Sequence, residues 1–410
     1  MVIHPNLEWL QDIESNIQDE DWRQEHLDQI IKSLKSYLSH VDYVLAASSI
    51  LDLCWEGMLG QGRYTELLEL YTVAIAIFEG DIPIQPYFAS DENSFMSNHE
   101  RFPNEYFMLK LNLAHVDLLL HNIEEATQHL EHIRQLYPTA TLIGQLEACC
   151  LFLKYHSYGY EIELDFDLVL RTQQLANKFM DKYRLKGEIA IAYYHYSKGN
   201  TAEMEKVLRK TFRLIVKAQL DTSKISVITA ELNFYLAVMY RELKQYDQAF
   251  AKLDIASEQY ARINNHVQNM LVLYETAMIY QNQEQTEKAL DWVNQAINEF
   301  ERLTEKQDYH RAMLDHGKGA ILLSLKRYDE ALTLFQRVLL VWEKQKHDYH
   351  IALATNAIGA TIMNLERPTE ALLHFEKAKA ICDPIKDRNY VKELLKTIDN
   401  NIEDAKGRLN

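Results

Sequence analysis

The sequence has 410 residues, a formal net charge of −17, 47% hydrophobic residues and only 12 Gly and 7 Pro, a composition suited to packed helices joined by short turns. The negative balance argues against binding nucleic acid or an anionic membrane, both of which need clustered Lys and Arg. No run of about 18 uncharged apolar residues offers a membrane span, and the start, MVIHPNLEWL, has no basic segment leading into an apolar one.

Cys54, Cys149, Cys150 and Cys382 have no Cys-x-x-Cys spacing, so buried, reduced thiols in a cytoplasmic protein are expected. Length fixes no domain count, because a repeat array grows without a single central core.

Residues 1–42 are expected to form an N-terminal helical cap, with Trp9, Leu10, Ile13, Leu27, Ile30, Ile31 and Leu34 as core candidates. No Gly precedes Gly57, so a DNA-binding helix-turn-helix with glycine in its turn is not evident. Residues 43–138 look like degenerate hairpins. Trp55, Gly62, Tyr64, Tyr71 and Ala74 mark one, and Ala114, Ala126, Leu130, Ile133 and Pro138 the next.

An irregular insertion, 80–107, interrupts them with three prolines and the aromatics Tyr87, Phe88, Phe95 and Phe102. It is expected to pack onto the array, with a lid as the functional alternative. Residues 139–222 are placed as degenerate helical hairpins from amphipathic periodicity, a break at Tyr158-Gly159-Tyr160, and Ala192, Gly199, Met204 and Leu208.

From 223 to 382 the register is regular. Ala249, Ala289, Ala331 and Ala371 follow one another at steps of 40, 42 and 40 residues. Twelve residues before each stands another small residue, Ala237, Ala277, Gly319 or Gly359, and seven after each stands Ala256, Ala296, Val338 or Ala378. Small residues at these offsets let two antiparallel helices approach closely across a tight turn.

Asp308-Tyr309-His310 and Asp348-Tyr349-His350, 40 residues apart, fit the same phase. The aspartates are expected to cap helix starts, the tyrosines to pack between repeats and the histidines to sit on the surface. A C-terminal capping helix, 386–405, buries Val391, Leu394, Leu395, Ile398 and Ile402 on one stripe.

These residues resemble the tetratricopeptide repeat, whose pattern is a small residue, an aromatic three later, a turn, then Ala, a bulky residue and Ala. Tyr240, Tyr246, Ala249, Leu253 and Ala256 follow it closely. The resemblance implies an all-α, right-handed α-α superhelix of about eight helical hairpins with capping helices. The 40-residue step exceeds the usual length of about 34 and is similar to the longer repeats of regulatory and adaptor members.

In that family, positions −3, +1 and +4 from the first small residue line a concave groove. Here they supply Tyr193 and Tyr196, Phe234 and Arg241, Tyr274 and Gln281, His316 and Asn356 as candidate protein- or peptide-binding residues. The lysines with which some members grip a peptide carboxylate are absent. The apolar members of the set suit the core of a tight superhelix equally well.

No phosphate loop, His-Glu-x-x-His, Gly-x-Ser-x-Gly or paired-cysteine signature occurs, so no catalytic residue, metal or cofactor is expected. His129 with His132, and His347 with His350, are read as surface histidines. The expected function is a non-catalytic scaffold or adaptor that binds a protein or peptide partner in its groove. The alternative implied by the resemblance is a bacterial regulator responsive to a signalling peptide. A third is an enzyme in a helical toroid.

Overall fold

The computed structural model describes residues 7–40, 43–80, 102–120, 122–157, 162–179, 182–218, 226–386 and 389–409. Among them are nineteen α-helices and no strand. Helices α1 (Leu7–Asn16) and α2 (Glu20–Leu38) come first.

Eight hairpins follow: α3 (Val44–Gly60) with α4 (Tyr64–Phe78), α5 (Pro103–Leu119) with α6 (Ile123–Leu136), α7 (Leu142–Ser157) with α8 (Leu168–Ala176), α9 (Lys182–Ser197) with α10 (Thr201–Ala218), α11 (Ser226–Glu242) with α12 (Tyr246–Arg262), α13 (His266–Asn282) with α14 (Thr286–Phe300), α15 (Asp308–Ser324) with α16 (Tyr328–Lys344), and α17 (Asp348–Asn364) with α18 (Pro368–Cys382). Helix α19 (Asn389–Leu409) follows them. The fold class is the all-α hairpin solenoid.

The chain divides into two compact units, one of Met1–Ile191, Arg213–Ile228 and Arg262–Asn265, the other of Ala192–Phe212, Thr229–Ala261 and His266–Asn410. In the first, α2 packs on α3 and α4, and α4 on α5. Leu10, Ile13, Leu27, Ile30, Ile31 and Leu34 join Met58, Tyr71, Ala74 and Phe78 in one core. Trp9 stays half-buried because its indole donates to Ser33 Oγ at 3.0 Å.

Tyr87, Phe88, Phe95 and the Tyr158-Gly159-Tyr160 break lie outside the described residues. Phe102 packs edge-on to Phe78 at 6.4 Å, and helix α5 starts at Pro103, before the Phe107 limit read from the sequence.

In the second unit the small residues lie at the helix crossings. Ala249, Ala289, Ala331 and Ala371 are buried, as are Ala256, Ala296, Val338 and Ala378. A Cβ built on Gly319 would come within 2.8 Å of the Phe335 ring, and one on Gly359 within 2.7 Å of Phe375. Here only glycine admits the partner helix. Val391, Leu394, Ile398 and Ile402 of α19 continue the core of Phe375, Ala378 and Cys382.

The turn inside six of the hairpins is equally uniform. Gly62, Gly199, Lys244, Glu284, Lys326 and Glu366 all take positive φ, from 57° to 72°. In each case the following amide bonds back to a carbonyl five residues earlier, as Arg327 N does to Leu322 O at 2.9 Å and Gln245 N to Tyr240 O at 2.8 Å. This is the Schellman closure, which usually employs glycine. Four of the six positions carry Lys or Glu instead, which explains how a chain so poor in glycine makes so many tight turns.

The aspartate pair differs from expectation. Asp308 and Asp348 are the first residues of α15 and α17, while Gln307 and His347 occupy the cap positions without a side-chain cap bond. Their charge still suits the helix dipole. Tyr309 packs edge-on to His350 of the next repeat at 5.8 Å. His350 is more than a surface residue, lying 4.7 Å from the Trp342 ring with its Nδ1 2.8 Å from His347 Nδ1.

The packing and turn geometries predict opposite outcomes for two neighbouring changes. Gly319→Ala should lower stability by about 1–3 kcal/mol through overpacking against Phe335. Lys326→Gly should raise it by up to about 1 kcal/mol by relieving the left-handed backbone, less the added freedom of the unfolded chain. Urea unfolding of both variants checks this, with the opposite order overturning the assignment.

Candidate binding face

The positions at −3, +1 and +4 put the candidate residues, all of them within the second unit, on the first helices α9 (from Ala192 onward), α11, α13, α15 and α17. The structure brings half of them together. Arg241 of α11 donates from Nε to Glu275 Oε2 of α13 at 2.8 Å, and from Nη2 to the Tyr196 hydroxyl of α9 at 3.4 Å. Its Nη1 lies 3.0 Å from Glu242 Oε1.

Burial works against the guanidinium, but Glu275, Tyr196 and Glu242 more than offset it and hold it charged. The Tyr196 and Tyr274 phenols are pushed above the usual range by burial and then by Glu275. Burial alone pushes Tyr193 up to about 12. The Tyr193 ring meets Tyr235 at 5.4 Å, and Tyr235 meets Phe234 at 5.5 Å. The result is a run of neutral tyrosines around one cation flanked by two carboxylates.

Tyr274 depends on a glycine. A Cβ on Gly317 of α15 would fall 2.5 Å from Tyr274 Cε2 and 2.9 Å from its hydroxyl oxygen. The ring therefore rests on the next helix, where a side chain would otherwise stand. It remains half-buried, as do Tyr193, Tyr196 and Arg241, whereas Phe234 is 8% exposed and belongs to the core.

The other candidates are held by their own neighbours. Gln281 donates to Ser324 Oγ at 2.7 Å, and its buried Oε1 has no hydrogen-bond partner among the described residues. His316 lies against Phe335 and Trp342 of α16 at 5.3 and 5.5 Å, within its own hairpin. Burial pushes its imidazole down to about 4, so it is neutral throughout the physiological range. Asn356 is 8% exposed and accepts from Asn401 Nδ2 of α19 at 3.0 Å. Its amide oxygen serves the cap.

Sequence reasoning missed Tyr235, Glu275 and Gly317. Each stands two residues before its repeat's small residue, Ala237, Ala277 or Gly319. That position shares a face with +1, three residues on, so a helical projection that included it would have found all three.

Among the described residues no three His, Cys, Asp or Glu side chains gather as a metal site. His129 Nδ1 instead pairs with Asp117 Oδ2 at 3.0 Å. No described helix is long and apolar enough to cross a membrane.

Residues 226–301 and 310–383 match the tetratricopeptide repeat family. With the hairpin geometry above, this makes the chain a tetratricopeptide-repeat protein. No curated protein matches it. Among solved structures, a Rap protein complexed with competence and sporulation factor is 14% identical, with a TM-score of 0.55 over 74% of this chain and 88% of its own. The apo quorum sensor NprR from B. thuringiensis is 13% identical over 73% and 80%, TM-score 0.47. A human IFIT1 dimer with PPP-AAAA is 14% identical over 96% and 93%, TM-score 0.46. The Rap likeness shows the fold.

The His316 environment fixes a pH response. Its folded pKa lies below the unfolded value near 6.5, so the unfolded chain binds the proton more readily, and stability is lost as pH falls from about 6.5 towards 4. The melting temperature of His316→Phe should fall less than that of the parent across this interval. Parallel losses in both would assign the response to other groups.

Proposed function

We propose that this tetratricopeptide-repeat protein is a non-catalytic scaffold whose tyrosine-lined first-helix face, around Tyr196, Arg241 and Tyr274, binds an extended protein or peptide segment. The observation that carries the reading is that three tyrosines from two hairpins, and the arginine of the hairpin between them, are pre-arranged yet half-buried. A face built only for the core would close over such rings, as it does over Phe234. Rigid tyrosines offer broad contact area at low entropic cost.

A ligand-responsive version of the same function is favoured by the Arg241 network. Tyr196, Arg241 and Glu275 come from three successive first helices, so a segment wedged between Tyr196 and Tyr274 acts on the spacing of all three and shifts their populations. In that version the protein is a regulator responsive to a signalling peptide, a reading in keeping with the similar Rap protein's complex with competence and sporulation factor.

The test is site-directed photo-crosslinking from Met278, which shares the face at the +1 position, in extract of the native cell. The crosslinked segment, once sequenced and synthesised, should bind Tyr274→Ala with at least tenfold lower affinity, about 1.4 kcal/mol, and bind Leu340→Ser as the parent does. Leu340 lies on α16 with 68% exposure. Equal affinity for Tyr274→Ala and the parent would sink the proposal.

A further inference from the structure

Away from this face, the first unit gathers charged side chains of both signs on its own first helices. Helix α3 carries Asp52 and Glu56 one turn apart, with Trp55 between them in sequence. Asp52 Oδ1 accepts from Asn112 Nδ2 of α5 at 2.9 Å and from the Tyr71 hydroxyl at 3.3 Å. The Trp55 ring lies 5.3 Å from that of His115. His115 Nε2 accepts from Lys154 Nζ of α7 at 2.7 Å, and Lys186 Nζ of α9 reaches the two oxygens of Glu147 at 2.9 and 2.7 Å. Glu56 lies within electrostatic reach of Lys186, Glu147, Lys154 and Lys182. Among the described residues it makes no hydrogen bond or ion pair.

Helix α3 packs beside α5, and α5 beside α7, so the cluster stands on one shared face of three first helices. Asp52 and Glu56 are both exposed to solvent. Even so, the surrounding protein desolvates them, pushing Asp52 up to about 6 and Glu56 above the usual carboxylate range. A side chain on a convex surface would be exposed and fully hydrated, whereas one on a concave wall meets solvent on one side and protein on the others.

Among the described residues, the charges of this cluster balance. Asp52, Glu56 and Glu147 face Lys154, Lys182 and Lys186, and His115 is held neutral by burial and by Lys154 and Lys186. Burial works against the Lys186 ammonium, but Glu147 and Glu56 more than offset it. A ligand carrying one net charge would unbalance such a site, and an apolar one would leave Glu56 buried without compensation. A ligand carrying both charges does neither.

We propose that this recess binds a zwitterionic ligand, whose ammonium donates to Glu56 and Asp52 beside the Trp55 ring and whose carboxylate accepts from Lys154. A cation over an indole flanked by carboxylates gains from both the ring and the charges. The same chemistry comes either from a free amino acid or from neighbouring Lys and Glu side chains of a peptide. The site is separate from the tyrosine face, and its failure or success leaves that reading untouched.

The experiment titrates the full chain, by thermal shift and calorimetry, with each free amino acid and, separately, with an N-acetylated, C-amidated peptide of alternating Lys and Glu. Binding is expected in one arm, which identifies the source. Affinity should fall tenfold or more in Glu56→Gln and in Lys154→Gln, and be unchanged in Leu340→Ser. It should also rise as pH rises through about 6 and Asp52 ionises.

Without ligand, Glu56→Gln should still fold and melt cooperatively, since the carboxyl it removes makes no hydrogen bond or ion pair among the described residues. Binding in neither arm, or binding that survives both variants, would overturn the proposal.

Discussion

The close crossing of two helices within each hairpin is the constraint from which the rest follows. Where Phe335 closes on Gly319, or Phe375 on Gly359, the partner helix comes so near that no larger side chain fits. The short turn that makes the crossing possible needs one residue in the left-handed region, and the chain accepts that strain at Lys244, Glu284, Lys326 and Glu366. With the crossing occupied by small residues, the large side chains of each first helix are displaced to its flanks. There they pack under the second helix, as His316 does against Phe335 and Trp342, or gather on the opposite face with Tyr196 and Tyr274.

The displaced side chains give the two units faces of different character. In the second unit, Arg241 is pinned by Glu275 and Glu242, so its charge is directed inward and tyrosine hydroxyls and rings dominate what a partner meets. In the first unit, Asp52, Glu56, Lys154 and Lys186 keep a charged character on the first helices α3, α7 and α9. Net charge alone does not express this contrast, because the charges of the first unit's recess cancel while their positions do not.

Periodicity made the architecture legible, since the alanine steps of 40, 42 and 40 residues mark packing positions that have to repeat wherever hairpins stack. The turns were legible only in part: Gly62 and Gly199 announce theirs, but a lysine or glutamate in the left-handed region looks like any surface residue. Site residues fared according to their partners. Tyr196, Arg241 and Tyr274 meet because their helices are consecutive, whereas Asn356 is engaged by Asn401, 45 residues away on a helix outside the repeat pattern. An offset rule drawn from the hairpin alone carries no information about such a contact, and it passed over Glu275 and Gly317 because it skipped the position two residues before the small one.

The bond from Asn401 to Asn356 gives the C-terminal helix a second role. By covering Phe375 and Cys382, α19 seals the apolar end of the last hairpin. By filling the acceptor of Asn356, it also takes the place that an incoming amide would occupy at the final first helix. The helix thus acts as a resident occupant that sets where the strip of available positions stops. On the proposed face, the amide oxygen of Asn356 is therefore already engaged within the fold.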